Sequence, residues 1–195
     1  NTSIVRAYQA GAYTTPLIFT HLLRVQSVLD TLGSAAEGLE GVSHVLIDNG
    51  APGDGFSPGD DFRRLYEQRY GVTIGYRDSM YYDNATTLML AAILASKDLA
   101  DPTTVTPLAI HDAMLLINDP AGTVVGVGPA EFARAVGLMV AGTPINYEGA
   151  SGPMDYDANQ NVKNRLARYQ VQSGQYVDLS TYDCVADSTT CPLIP

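Results

Sequence analysis

A chain of 195 residues is long enough for one or two domains, each with its own apolar core. Hydrophobic residues make up 46% of it, yet no apolar run reaches the ~18 residues that a membrane span requires. Twenty-one acidic residues against 11 basic ones give a formal charge of -10, which excludes the clustered Lys and Arg on which nucleic-acid affinity depends. The first residues, Asn1-Thr2-Ser3, run into Ile4-Val5-Arg6-Ala7-Tyr8 without the charged and apolar regions of a secretory signal. Processing, or a start inside a longer reading frame, accounts for such a beginning.

Ile4, Val5 and Tyr8 fall on one helical face and Gly11 supplies a stop, so the chain reads as opening on the end of a helix. Pro16 to Thr20 is a short apolar run suited to a buried parallel strand. Val25, Val28, Leu29 and Leu32 follow at helical spacing up to Gly33, and Val42 to Ile47 reads as the next strand, completing a β-α-β unit. The stretch Asp48 to Ser57 is a Gly-, Pro- and Asp-rich loop. Ser57-Pro58 then opens a helix with Phe62, Leu65, Tyr66 and Tyr70 on its apolar side and Gly71 at its end. A strand is expected over Tyr76 to Met80, followed by a helix from Ala85 to Ser96 that is apolar nearly all round. Thr106-Pro107 caps a helix running to about Ile117, Thr123 to Val127 forms a short strand, and Pro129 starts a helix that ends at Gly142. Ile145 to Tyr147, Tyr169 to Gln172 and Tyr176 to Leu179 read as strands, with Ser173-Gly174 as the turn between the last two. Strands and helices alternating in this way predict an α/β fold.

Cys184 and Cys191 are not in C-x-x-C spacing and no histidine lies near them, so a small disulfide loop outranks zinc or redox chemistry. If formed, it stabilises the tail by about 2 kcal/mol and implies an oxidising compartment; the competing reading is two free thiols. Gly126-Val127-Gly128 resembles the start of a dinucleotide fingerprint. Glu131, however, stands where the third glycine belongs and would face a pyrophosphate with the wrong charge, which favours a plain strand-to-helix turn. Asp155, Asp157, Asn159 and Asn161 alternate like calcium-loop ligands, but Gln160 and Leu166 replace the turn glycine and the bidentate acid, so an Asx-rich turn is the better account. His21, His44 and His111 lie in separate elements, and no metal-ligand spacing joins them. No G-x-S-x-G or other nucleophile motif occurs, so neither catalysis nor a cofactor is predicted.

The run from Ile145-Asn146-Tyr147-Glu148-Gly149-Ala150-Ser151-Gly152-Pro153 through Met154-Asp155-Tyr156-Asp157 to Val162 resembles the late signature "YxGxxGxxxFDxxGD" of the type I periplasmic binding proteins, in particular the branched-chain amino-acid binders that serve ABC transporters. Tyr156 stands for the usual Phe and Gln160 for the usual Gly. Gly33 to Val42 is similar to the family's "aAEGv" approach to a strand, Phe62 to Gly71 to its "F...Y...YG" helix, and Tyr82-Asp83-Asn84-Ala85 to its "YDA" helix start. The resemblance implies a three-layer, parallel-sheet lobe that is incomplete relative to the two-lobed fold, with this chain as its C-terminal portion. It assigns residues 1–80 to the second lobe, 81–143 to a helical segment of the first, and 144–195 to a crossover and β tail.

It further implies a periplasmic or extracellular location, lipid-anchored through an N-terminus not included here. Function would be capture of an amino acid or similar polar solute for an ABC permease, with no bond broken. A ligand-sensing domain of the same fold is the alternative, and a hydrolase on an unrelated α/β fold the third reading. Ligands of open parallel sheets sit beyond the carboxyl ends of strands. That rule selects Thr20 and His21 after the first strand, Asp48 and Asn49 after the second, and Tyr81, Tyr82 and Asp83 at the expected hinge. The family places a polar or acidic group for the ligand ammonium near His21. The competing readings are a helix cap or solvated residue for His21, a core position for one of the two tyrosines, and a helix cap for Asp83. Apolar helix faces at Leu88, Leu90, Ile93 and Leu94 are expected to be exposed in the isolated chain and to be covered by self-association or by a companion fragment.

Overall fold

The computed structural model describes residues 2–11, 13, 15–44, 57–75, 77–157, 161–162, 165–184 and 191–194. In chain order its regular elements are α1 (Thr2–Ala10), β1 (Ile18–Thr20), α2 (Gln26–Leu32), β2 (Glu40–His44), α3 (Pro58–Tyr70), α4 (Asp78–Ser96), α5 (Pro107–Met114), β3 (Thr123–Val125), α6 (Pro129–Val140), β4 (Ile145–Gly149), β5 (Gly152–Pro153), β6 (Arg165–Gln172), β7 (Gln175–Asp183) and β8 (Leu193–Ile194). They divide into two compact units, residues 1–45 with 164–195, and residues 46–163.

The first unit is a mixed sheet in the order β1-β2-β6-β7-β8. β1 and β2 are parallel because α2 carries the chain back between them, while the hairpin-linked strands that follow are antiparallel. Val28, Leu29 and Leu32 turn the buried face of α2 towards Val5, Leu23, Ala36 and Val171, the core of this unit. Ser173 and Gly174 both have positive φ, 54° and 71°, the geometry of a two-residue hairpin turn; Gly174 adopts it without the backbone strain that an L side chain brings to this region. The Glu37 carboxylate accepts from both turn N–H groups, at 3.1 and 2.6 Å. Buried Arg24 donates to Ser43 Oγ at 2.7 Å, pairs with Asp178 at 2.7 Å and lies 5.3 Å from the centre of the Tyr169 ring. Cys184 and Cys191 are joined in a disulfide.

The second unit packs α4, α5 and α6 around a small sheet in which β3 and β4 run parallel and β5 returns antiparallel. Leu90, Ile117, Val125, Ala135, Met139, Ile145, Tyr147 and Met154 form its core. The Thr106 hydroxyl accepts from the Ala109 N–H at 3.2 Å, with Pro107 in the first turn, as the sequence signal required. The Ser57 hydroxyl instead bonds Asp60 at 3.0 Å, and α3 has no side-chain cap to a backbone N–H.

Three expectations need correction. Residues 78–80 are the first turn of α4 and not the end of a strand: the Asp78 carboxylate accepts the Gly75 N–H at 2.6 Å and the helical ladder begins with Tyr81 N–H on Arg77 O. The helix therefore starts seven residues before Ala85, and Tyr76 lies outside the described residues. β2 occupies Glu40–His44, shifted towards the N-terminus, with residues 45–47 outside the described set. Of the apolar residues expected on the surface of α4, Leu90 is 0% exposed and Ile93 and Leu94 pack on the core, because α5 and α6 cover that side; Leu88 alone stays open, at 54%.

Asp178→Asn leaves the Arg24 guanidinium without its counter-charge. Because Asp178 is itself partly solvated, the expected cost is about 2 kcal/mol, below the 3–5 of a fully buried pair. The double variant Arg24→Met with Asp178→Ala should cost less than Asp178→Asn alone. Urea unfolding of the three proteins checks this, and a double variant less stable than the single one would contradict it.

Candidate ligand site

In the first unit the carboxyl ends of the two parallel strands bring together Thr20, His21 and His44. The Thr20 hydroxyl caps a short 3-10 turn, His21–Leu23, by accepting from the Leu22 N–H at 3.5 Å, and its carbonyl accepts from the Tyr169 hydroxyl at 3.2 Å. This turn swings His21 beside His44, with ring centres 5.9 Å apart. Burial, and then the neighbouring His21, hold the His44 imidazole below its usual pKa, so its neutral form is favoured. Asp48 and Asn49 lie outside the described residues.

In the second unit a cavity of about 730 Å³ is bounded by α3, the start of α4 and the turn after β3. Phe62, Tyr66 and Tyr70 project from one face of α3 at four-residue spacing. Tyr81 and Tyr82 enter from α4, Tyr81 being 61% exposed and Tyr82 half-buried. The Tyr82 hydroxyl accepts the Gly128 N–H at 2.8 Å, and the Phe62 and Tyr82 rings sit 4.8 Å apart. On the far side of the β3–α6 turn, Glu131 accepts the Gly126 N–H at 2.9 Å and pairs with Arg134, whose hydrogen bond holds the Glu131 carboxyl below its usual range. Glu131 is thus the brace of a tight turn. Asp78, Arg69 and Gln68 supply the cavity's polar rim. The Asp78 carboxylate beside Tyr66 raises its phenol pKa.

Asp83 neither caps a helix nor opens onto this cavity. It lies in the second turn of α4, 0% exposed, and its carboxylate accepts from Tyr147 Oη and Ala150 N at 2.8 Å and from Ser151 N and Oγ at 2.6 Å. Burial pushes its pKa up while these four donors pull against that rise; Tyr147, buried against it, is raised as well. A Cβ on Gly149 would sit 2.6 Å from this carboxyl, so the strand end must be glycine to come so close. Asp157 Oδ1 accepts the Asn161 N–H at 2.9 Å, an Asx-type turn; Asn159 lies outside the described residues.

The sequence carries no signal that marks His44, Tyr66, Arg69, Tyr70 or Asp78 as ligand contacts. The four-residue spacing of Phe62, Tyr66 and Tyr70 marks an apolar helix side in the sequence, without showing that it borders a cavity.

Two outcomes follow. Asp83→Asn turns an amide NH2 towards donors and should destabilise the protein by about 2–4 kcal/mol; a melting temperature unchanged by it would contradict the anchoring role. His44 favours its neutral form when folded, so its contribution is fully present above the unfolded pKa of 6.5 and is lost as pH falls through the lower folded value. His44→Gln should flatten that part of the stability profile, and identical pH profiles for the two proteins would contradict it.

No family model matches the chain. Over 78 residues it is 36% identical to the chemotactic signal transduction system substrate-binding protein BasB of Halobacterium salinarum, which covers 40% of this chain and 18% of BasB. The leucine-binding protein LivK of Thermotoga maritima superposes with a TM-score of 0.60 over 95% of this chain and 42% of LivK, at 16% identity. A solute-binding protein of an ABC transporter from R. palustris, solved with benzoate, gives 0.55 over 99% of this chain and 41% of its own, at 15% identity. The isoleucine complex of LivJ from Streptococcus pneumoniae gives 0.52 over 91% and 41%, at 13% identity. The chain spans less than half the length of these structures, and within that span it has the mixed α/β fold of the LivK- and LivJ-type, type I periplasmic binding proteins.

Proposed function

We propose that the chain is part of an extracytoplasmic solute-binding protein that captures an amino acid or a similar small polar solute and presents it to the permease of an ABC importer. The observation that carries this reading is the superposition on LivK across 95% of the chain. Support comes from two features with room and polar groups for a small solute: the strand-end group Thr20, His21 and His44, and the aromatic cavity with Tyr81 and Tyr82. Asp48 and Asn49 join the proposed contacts through their place after β2. Asp83 is left out, since its lone pairs are spent inside its own unit. In this account binding energy is used to close a two-lobed protein over the solute, and the closed form is what the permease recognises.

A second reading has its own support: the BasB match favours a substrate-binding protein that reports to a chemotaxis receptor. Both readings predict the same binding step and differ in its readout.

Full-length protein screened against a panel of amino acids and organic acids should melt at a higher temperature with at least one of them. Ligand at about one hundred times its Kd contributes roughly 2.7 kcal/mol. A panel without any shift, or turnover of a panel compound, would contradict the proposal. Loss of labelled-solute uptake on gene deletion selects transport, and loss of attraction with uptake intact selects sensing.

A further inference from the structure

The walls of the cavity in residues 46–163 are more specific than a generic apolar pocket. Tyr70, Tyr66, Phe62 and Tyr82 form a continuous aromatic series, with successive ring centres 4.8, 5.7 and 4.8 Å apart. Phe62 is buried at its base and Tyr70 is exposed at its mouth. Two opposite charges share the rim. Asp78 spends one oxygen on the Gly75 N–H beside Tyr66, and a carboxylate with about four lone-pair sites keeps acceptor capacity beyond that bond. Arg69, one helical turn beyond Tyr66 on α3, is exposed and offers a planar, bidentate donor face suited to a carboxylate.

A cavity of this volume, within the usual range for small-molecule sites, thus presents an aromatic wall, one anion and one cation. We propose that it takes an aromatic L-amino acid, with the ring against Tyr66, Phe62 and Tyr82, the ammonium at Asp78 and the carboxylate at Arg69. This rests on the solute-binding reading above and narrows its ligand class. An aliphatic side chain would gain burial in the same place but not the edge-to-face and offset ring contacts, which favour an aromatic ligand by roughly two- to tenfold. Both charges are needed for the assignment: a ligand without an ammonium leaves Asp78 facing an apolar group, and one without a carboxylate does the same to Arg69.

The test is isothermal titration of the full-length protein with L-phenylalanine, L-leucine, 3-phenylpropionate and phenethylamine. L-phenylalanine should bind roughly two- to tenfold more tightly than L-leucine, and at least about tenfold more tightly than either single-charge analogue. Arg69→Gln should weaken L-phenylalanine and 3-phenylpropionate about tenfold and spare phenethylamine; Asp78→Asn should do the reverse. Tyr66→Leu should bring the phenylalanine-to-leucine ratio close to one. Asp78 also holds the turn before α4, so the decisive variants are the surface change Arg69→Gln and Tyr66→Leu. Tighter binding of L-leucine, or L-phenylalanine affinity unchanged in both of those variants, overturns the aromatic assignment and leaves the solute-binding function standing. L-phenylalanine that fails to bind a protein stabilised by another panel solute overturns the assignment alone; a protein that no amino acid or organic acid stabilises overturns both.

Discussion

The carboxylate of Asp83 is the constraint on which the second unit depends. It stands in the second turn of α4 with no access to solvent, and four donors from the end of β4 and the turn beyond it converge on its two oxygens. A buried charge without such donors would be too costly to keep, so helix and strand end are locked in one register. Gly149 permits the approach, and Tyr147 adds its hydroxyl from within the core. The preceding residues on the helix inherit this fixed position. Tyr82 reaches the N–H of Gly128 and the ring of Phe62, which places one wall of the cavity, and Tyr81 lies beside it at the surface. Asp83, one of the candidate ligand contacts named from the sequence, is thus an internal anchor that holds its neighbours at the cavity.

The first unit uses the same economy with different groups. Its strand-end site depends on the parallel pairing of β1 with β2, which sets Thr20 against Val42 and so brings His21 near His44 two residues further along the partner strand. Arg24, immediately after the 3-10 turn, ties that turn to Ser43 and Asp178 and lies over Tyr169. The Tyr176 hydroxyl also donates to the carbonyl of Val25 at 3.1 Å. These contacts come from β2, β6, β7 and the residues just before α2, so the 3-10 turn that carries His21 is held by residues far apart in the chain.

Local chemistry made much of the fold legible. Proline in the first turn located the starts of α3, α5 and α6, glycine located the ends of α3 and α6 to within a few residues, and Ser173-Gly174 marked the β6–β7 hairpin. What failed was decided by contacts a single sequence does not display. The stretch from Tyr76 to Met80 is short enough to read as a strand, but Asp78 turns back to the Gly75 N–H and starts a helix. Asp83 carries the same signal as an N-cap, and only the arrival of residues 147–151 shows that it is an anchor. Likewise the meeting of His21 with His44 is a matter of strand register. The aromatic face of α3 was plain in the spacing of Phe62, Tyr66 and Tyr70, and its openness to a cavity was not. The resemblance read from Tyr147 to Val162 agrees with the superposition on LivK, and that agreement concerns fold, with the ligand left to the residues of this chain.

The account therefore stands on a binding function carried by an aromatic cavity on one unit and a pair of imidazoles on the other. Its most direct test is a crystal structure of the full-length protein grown with whichever solute raises its melting temperature most. The account predicts density for that solute against Tyr66 and Tyr82, or in hydrogen-bond reach of His21 and His44. A well-ordered solute that touches neither group would contradict it.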